Sequence, residues 1–543
     1  MFSEPAVGEK FFGREEALEI LSKRALALKD GYRQNIALTG QSLAGKTSII
    51  LNFLHTIKEE GFIPVYVEVV KEPFKAFANK FIATMLYNAL LAHGEDAGID
   101  LDGLMISAAR YFPKTHAAMK EVLSLIELDE RDQAYSRLLE LTSVLKAESM
   151  HPCIVILDEF DNLEYLGIRN PFTGFGKVIM VQKDTMYIVS SSRNLAIRKI
   201  ISEKLSLLFG NFEIVKVANF GIRVSNEFIN IRLPGFEIED LLRKFLIAFT
   251  DGNPFYLSRM LRSIRDAAIN RMTSYIDSAI VADIILELVY NSNGAIHQYL
   301  MNYLLELLDA RSRDMHISIL TCIANGENKQ SDIARKLRIR RCDISTALQR
   351  LSEQGLLSKN GIFYTIEDAM LEFWLKNVYQ EKKNLLINGI FDRTTLYREK
   401  VLLLISDFER EFSLPAIERV ADLFSLFSNE LVQLDTKSAK LPHFTKTEIR
   451  SFADGCRYLI ASFRGNHWIV QAYDHDINEN DIISFVKNIK GLNCKISNKV
   501  IIPIRGIDEN ARLIAKELKI SIWESRTINK LLTLYGKKRI IAI

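Results

Sequence analysis

Cysteine is sparse in this 543-residue chain and its five copies are scattered: Cys153, Cys322, Cys342, Cys456 and Cys494. None stands in a C-x-x-C spacing and none has a histidine pair nearby. That excludes a disulfide framework and a zinc ribbon, and reduced thiols in a cytoplasmic setting are expected. No run of eighteen apolar residues occurs, although the mean hydropathy is +0.04. No membrane span is therefore expected. The opening MFSEPAVGEKFFGREE lacks a basic stretch followed by an apolar one, so no secretory leader is expected. An excess of one charge is missing too: 70 Lys and Arg against 67 Asp and Glu leave +3. A polyanionic partner would have to be met by a local basic face. Internal repeats and low-complexity tracts are absent. What is present is 48% hydrophobic and 25% charged residues, the composition of folded domains with real cores. The length accommodates three or four of them.

The stretch IALTGQSLAGKTSII supplies the first chemistry. Gly40, Gln41, Ser42, Leu43, Ala44, Gly45, Lys46 and Thr47 match G-x-x-x-x-G-K-[ST] at every fixed position, and Ser48 follows. An apolar strand, Asn35 to Leu38, precedes the loop. Ile49, Ile50, Phe53, Leu54 and Ile57 then recur at helical spacing, predicting a helix over 47–58. A glycine loop opening a helix gathers backbone N–H groups around one point, which suits a phosphate. Lys46 then reaches the β- and γ-phosphates, and the Thr47 hydroxyl ligates Mg²⁺. A plain strand-to-helix turn would explain the glycines but not the Lys-Thr pair.

CIVILDEFDNLEYL supplies the partner motif. Cys153 to Leu157 form a continuous apolar run, the mark of a strand covered on both faces, and it ends in Asp158-Glu159. Asp158 is expected in the Mg²⁺ shell, and Glu159 is expected to activate the attacking water. Asp161 is a further carboxylate beside them. TMYIVSSSRNLAI reads as a strand ending in a polar cluster, where Ser192 and Arg193 either sense a γ-phosphate or simply form a polar loop. FIPVYVEV, FEIVKV and FINIRL read as further strands. DGNPFYLSRML places Gly252 and Pro254 at a turn opening a helix.

In this order the pieces resemble the archaeal-type ATPases of the STAND branch of AAA-like P-loop proteins. FFGREEALEIL is similar to the Phe-x-x-Arg-Glu-x-x-Leu segment that precedes their P-loop. The resemblance covers about residues 10 to 380. It implies that Arg193 contacts the γ-phosphate, that Gly252 and Pro254 pack on the nucleotide from a helical lid, and that Phe12, Gly13 and Arg14 lie near the adenine. Origin-recognition-type initiators share several of these motifs and compete with this reading. No lid arginine of their kind stands out, although Arg259 or Arg262 could fill that role.

The second half carries a different pattern. His316 to Asp368 reads as three helices and a hairpin, a winged helix-turn-helix. Ser331 is expected to cap the second helix and Asp343 or Ser345 to start the third. The hairpin is expected to turn at Asn360-Gly361. Lys329, Arg335, Lys336, Arg338, Arg340, Arg341 and Arg350 point outward, a face fit for DNA phosphates, with Arg341, Ser345, Thr346 and Gln349 near base edges. Packing against another protein module is the alternative. FYTIEDAMLEFWLKNVY resembles the segment that closes the archaeal-type domain, and its aromatics read as core. From Asn384 to Glu430 the pattern is helical. The last part alternates strands and helices. In the family resembled, this place often holds a restriction-endonuclease-like module, whose Glu-x-Lys pair would fall on Gln471-Ala472-Tyr473. An amide and a phenol cannot do that work, and Asp474 and Asp476 lie out of register, so an inactive module is expected.

The expected fold class is α/β: a P-loop ATPase with a parallel sheet (1–235) and a helical lid (236–312). A winged helix-turn-helix (313–380), a helical connector (381–434) and a nuclease-like α/β domain (435–543) follow. The expected function is an ATP-binding, Mg²⁺-dependent ATPase acting as a switch whose nucleotide state repositions a DNA-binding winged helix through Arg340, Arg341 and Gln349. A homo-oligomer or a protein partner is compatible with it. A replication-initiator-like loader, or a regulator that barely turns over, are the alternatives.

Overall fold

Five short apolar runs become the strands of one sheet: β1 (Asn35–Thr39), β2 (Ile63–Glu68), β3 (Cys153–Asp158), β4 (Thr185–Ser191) and β5 (Phe212–Lys216). Their order is β2-β3-β4-β1-β5 and every pairing is parallel. Val and Ile suit a pleated surface, and burial on both faces explains why the runs are continuous rather than alternating. Ile154 and Ile156 of β3 join one core with Leu38, Phe53 and Ile188. Val155 and Leu157 face the other way, onto Phe77, Phe81, Leu138 and Phe175. The two-residue period of the strand thus builds two cores from one run.

The computed structural model describes residues 4–539 apart from 60, 96, 97, 99, 206–209, 384–393, 435, 436 and 493. It divides into two compact units, Met1–Asn219 with Glu353–Gly355, and Phe220–Ser352 with Leu356–Ile543. The first unit therefore ends short of the expected residue 235. Between β2 and β3 it carries four helices the motifs did not announce, Phe74–Ala92, Leu101–Tyr111, Pro113–Glu127 and Arg131–Ser149. The expected helix after the glycine loop forms as Lys46–Glu59.

FINIRL, expected as a strand, lies within the helix Ile222–Arg232. Ser225, Phe228 and Ile229 are its buried residues, spaced at three and four, so helical packing overrides the local β propensity. The second unit continues with β6 (Glu237–Ile238) paired to β7 (Tyr275–Ile276) and with the helix Pro254–Asn270. The helical stretch Ser278–Leu307 is long and apolar enough by composition to cross a membrane, but half of it is buried inside the protein. Its Asp283 is ion-paired to Arg271, as a packed helix of a folded unit allows.

Helices Arg313–Ala324, Gln330–Leu337 and Arg341–Glu353 follow, then the antiparallel pair β8 (Leu357–Asn360) and β9 (Phe363–Ile366). Three boundaries differ from expectation. Ser331 sits inside the second helix and Lys329 precedes it without a side-chain cap. The third helix starts at Arg341, ahead of Asp343. Asn360 pairs with Phe363, so the turn is Gly361-Ile362, with Gly361 at a φ of +61°.

Of the expected connector, residues 384–393 lie outside the described residues. Helices Thr394–Ser413 and Ala416–Ser425 come next. The strand pair β10 (Leu431–Leu434) and β11 (Lys437–Lys440) then spans the expected boundary at 435. The last sheet orders β12 (Lys446–Ser451), β13 (Arg457–Phe463), β14 (Asn466–Tyr473), β15 (Ile496–Pro503) and β16 (Ser521–Ile522) in sequence. Its first three strands are antiparallel and the rest parallel. Ile156 is fully buried in the strand that ends at Asp158. Ile156→Ala should lower the stability of the first unit by about 3 kcal/mol in denaturant unfolding, the usual cost of such a cavity.

Candidate functional site

The parallel order brings the C-terminal ends of β3, β4 and β1 side by side, and the glycine loop leaves from β1. A side chain at Gly40 would put its Cβ 2.2 Å from the Val217 carbonyl oxygen, so no other residue fits there. Gly45 has a φ of +96° and Leu43 one of +60°, the second a conformation a leucine adopts only where the loop's path imposes it. Lys46 is buried, and its ammonium donates to the carbonyls of Gly40 at 3.1 Å and Gln41 at 2.9 Å, and to Ser192 Oγ at 2.9 Å. Ser192 Oγ in turn donates to Glu159 Oε1 at 2.6 Å, and its N–H meets Glu159 Oε2 at 3.3 Å. Thr47 Oγ1 donates to Asp158 Oδ2 at 2.8 Å. Asp158 also accepts from Tyr66 at 3.3 Å and from the Ser190 hydroxyl.

Charge in this corner is held away from water. Burial pulls the Lys46 ammonium below its ordinary range, against the opposing pull of Glu159, Asp158 and Asp161. Burial pushes the Glu159 carboxyl up; Lys46 opposes this, while Asp161 and Asp158 add to it. Glu159 itself sits at a φ of +52°, just past the end of β3.

Ser192 and Arg193 part company. Ser192 joins Lys46 to Glu159, whereas the Arg193 guanidinium is ion-paired with buried Asp161, bonds Asn162 at 3.1 Å and lies 3.8 Å from Glu164. Arg193 is thus held by the turn after β3 rather than by the lysine's partners. Ser48 Oγ accepts from the Ala6 N–H at 3.0 Å, which ties the N-terminal segment to the helix Lys46–Glu59. Arg14 grips the loop, donating to the Ala44 carbonyl at 2.8 Å, and burial lowers its pKa to about 10. Asn219 donates to the Gln41 side chain at 3.3 Å. Tyr66, Ser190 and Asn219 were not legible as site residues. Ser190 stood in the Ser-Ser-Ser run, but nothing marked Tyr66 or Asn219.

In the second unit, Pro254 is the first residue of its helix, capped by the Asn253 side chain. Gly252 has a φ of +64°, and a Cβ there would lie 2.2 Å from the Phe220 carbonyl oxygen. Two residues past Pro254, the Tyr256 hydroxyl donates at 2.6 Å to half-buried Asp368, which caps the helix Ala369–Trp374. On the basic face Arg340 pairs with Asp343 at 2.9 Å, Arg335 with Asp332 at 2.9 Å, and Lys336 with Glu327 at 3.1 Å. Arg341 and Gln349 are exposed on the helix Arg341–Glu353. In β14, Gln471 and Tyr473 are buried, while Asp474 and Asp476 lie exposed beyond the strand. Among the described residues no cluster of three or more His, Cys, Asp or Glu has a metal-binding arrangement.

Residues 10–167 match the model of the AAA ATPase domain family. Solved structures similar to the chain include a Walker-type ATPase of Pyrococcus abyssi, at 16% identity and a TM-score of 0.46, covering 69% of this chain and 99% of that one. The ORC2 protein of Aeropyrum pernix is 13% identical, with a TM-score of 0.43 over 70% of this chain and 98% of its own. The ORC1 protein of the same organism, in complex with DNA, is 14% identical at a TM-score of 0.39, over 68% and 93%. No curated protein matches the chain significantly.

The raised Glu159 carboxyl has a consequence for stability. Its charge costs nothing below the ordinary carboxylate pKa, where folded and unfolded forms are both protonated, and costs most above the raised folded value. Glu159→Gln should therefore raise the thermal midpoint of the nucleotide-free protein at neutral pH. The gain should shrink as the pH falls through the carboxylate range, as a pair of melting series will read.

Proposed function

We propose that the first unit binds ATP with Mg²⁺ in the loop Gly40–Thr47 and hydrolyses it slowly. The observation that carries this is the convergence of Lys46, Thr47, Asp158, Glu159 and Ser192 at one edge of the sheet. Lys46 rests on carbonyls of its own loop, contacts that a triphosphate would replace. Thr47 Oγ1 and the Asp158 carboxylate already meet, and both are oxygen donors of the kind Mg²⁺ takes while keeping several waters. Bound there, Mg²⁺ supplies charge neutralisation on the phosphates. Glu159 is the base. Water attacks the γ-phosphorus, its proton passes to Glu159, and the bond to the β-γ bridging oxygen breaks to give ADP and inorganic phosphate. Burial suits Glu159 to accept that proton, and Ser192 orients it.

In the second unit, the helices Arg313–Ala324, Gln330–Leu337 and Arg341–Glu353 with the β8–β9 hairpin are read as a DNA-binding winged helix. Lid movement would reach it through a defined link: Tyr256, on the helix that Pro254 opens, holds the Asp368 that follows β9. This supports a nucleotide switch that repositions the winged helix. The sheet β12–β16 is read as nuclease-like without nuclease activity, because Gln471 and Tyr473 are neutral and buried.

Lys46→Ala should abolish ATP binding in equilibrium titration; near-normal affinity would sink the assignment. Glu159→Gln should keep ATP binding and lower turnover by at least about a hundredfold, a typical loss for a positioned base. The purified chain should leave DNA uncut with Mg²⁺ or Mn²⁺, with or without ATP. Metal-dependent cutting that disappears on changing Asp474 or Asp476 to Ala would show the catalytic register to be elsewhere.

A further inference from the structure

We infer that this chain grips the phosphodiester backbone of DNA in a cavity between the start of the helix Arg341–Glu353 and the β8–β9 hairpin. The inference rests on reading the second unit as a DNA-binding winged helix.

One side of the hairpin is already engaged by the C-terminal part of the same unit. Asn360 is buried, and its side-chain amide acts as an extra rung beside β10. Its Oδ1 accepts from the Gln433 N–H at 2.6 Å and its Nδ2 donates to the Gln433 carbonyl at 3.2 Å. A Cβ on Gly361 would sit 1.9 Å from the Leu431 carbonyl oxygen, so the turn and β10 are in backbone contact. Phe363 packs edge-on against Tyr535, with ring centroids 5.3 Å apart. Asn328 donates to the Leu534 carbonyl at 2.7 Å. One edge of the hairpin is thus covered by its own chain, while Ile362 at the turn stays exposed beside the cavity.

Uncovered charge remains on the side that lines the cavity, besides that of exposed Arg338 and Arg350. Along this face Arg335, Lys336 and Arg340 are each neutralised by a neighbouring carboxylate. Lys329 is held by buried Glu430 at 2.9 Å. Arg341 and Lys359 have no acidic partner among the described residues. Both line one open cavity of about 480 Å³, whose lining also includes Ser331, the turn residues Gly361 and Ile362, and Tyr364. Arg341 is the first residue of its helix, where the backbone dipole adds to the field of its side chain. Two unpaired cations, a hydroxyl and an aromatic wall, open to solvent and roomy enough for a phosphate with its sugar, suit a backbone contact that carries no sequence code.

The test uses the full chain and a short fluorescent DNA duplex, with affinity measured over a range of salt. Arg341→Ala and Lys359→Ala should each weaken binding several-fold and flatten the salt dependence by about one unit of slope. Arg335→Ala, whose charge Asp332 holds, should lose severalfold less. Both test residues are exposed, and an unchanged thermal midpoint will show that the variants fold. A wild-type chain that binds no duplex even at low salt removes the winged-helix reading and this site with it. Duplex binding unaffected by either variant overturns the cavity while leaving the reading in place. Inorganic phosphate that binds through Arg341 and Lys359, with the duplex indifferent to both, would overturn the assignment to DNA.

Discussion

The position of β4 between β3 and β1 is the constraint on which the proposed nucleotide site depends. It sets the Ser190–Ser192 run between the carboxylates that end β3 and the lysine that follows β1. A hydroxyl at that point touches both sides, as Ser192 does with Lys46 and Glu159. Without it, an ammonium and a carboxylate would face each other across a dry gap, each short of hydrogen bonds, an expensive arrangement. The sheet is able to hold such groups because its two hydrophobic faces fix where each strand ends.

The same economy of buried polar groups recurs in the second unit. Asp368 is half-buried with its carboxylate satisfied by Tyr256 and by the N–H groups of Met370 and Leu371. Burial still pushes it above the usual carboxylate range. Removing one partner would leave a half-buried acceptor unmet, so the helix Pro254–Asn270 and the helix after β9 are held in one relation. The wing is held likewise, by Asn360 against Gln433 and by Lys329 against Glu430. The β10–β11 pair is therefore part of the architecture of the basic face.

Charge counting along the sequence overstates that basic face. Seven basic residues around the second and third helices read as one patch, yet four of them are ion-paired in the fold. Three of those partners are close in sequence: Asp332, Glu327 and Asp343. The fourth, Glu430, is remote and could not have been foreseen. Lys359, which the pattern did not single out, faces the same cavity as Arg341.

By itself the sequence determined the glycine loop, the Asp158-Glu159 strand end, the helix that follows the loop and the three helices between residues 313 and 353. Those features are local: fixed spacings and two- or 3.6-residue periods state them without knowledge of the rest of the chain. The tertiary structure alone decided that Ser192 joins Lys46 to Glu159 while Arg193 turns to Asp161. It alone brought Tyr66 to Asp158 and Arg14 to the loop carbonyl of Ala44. It also turned FINIRL into a helix and closed β10 over the hairpin. Each of these depends on which side chain another element leaves within hydrogen-bond reach, and strand order and packing set that reach, not residue spacing.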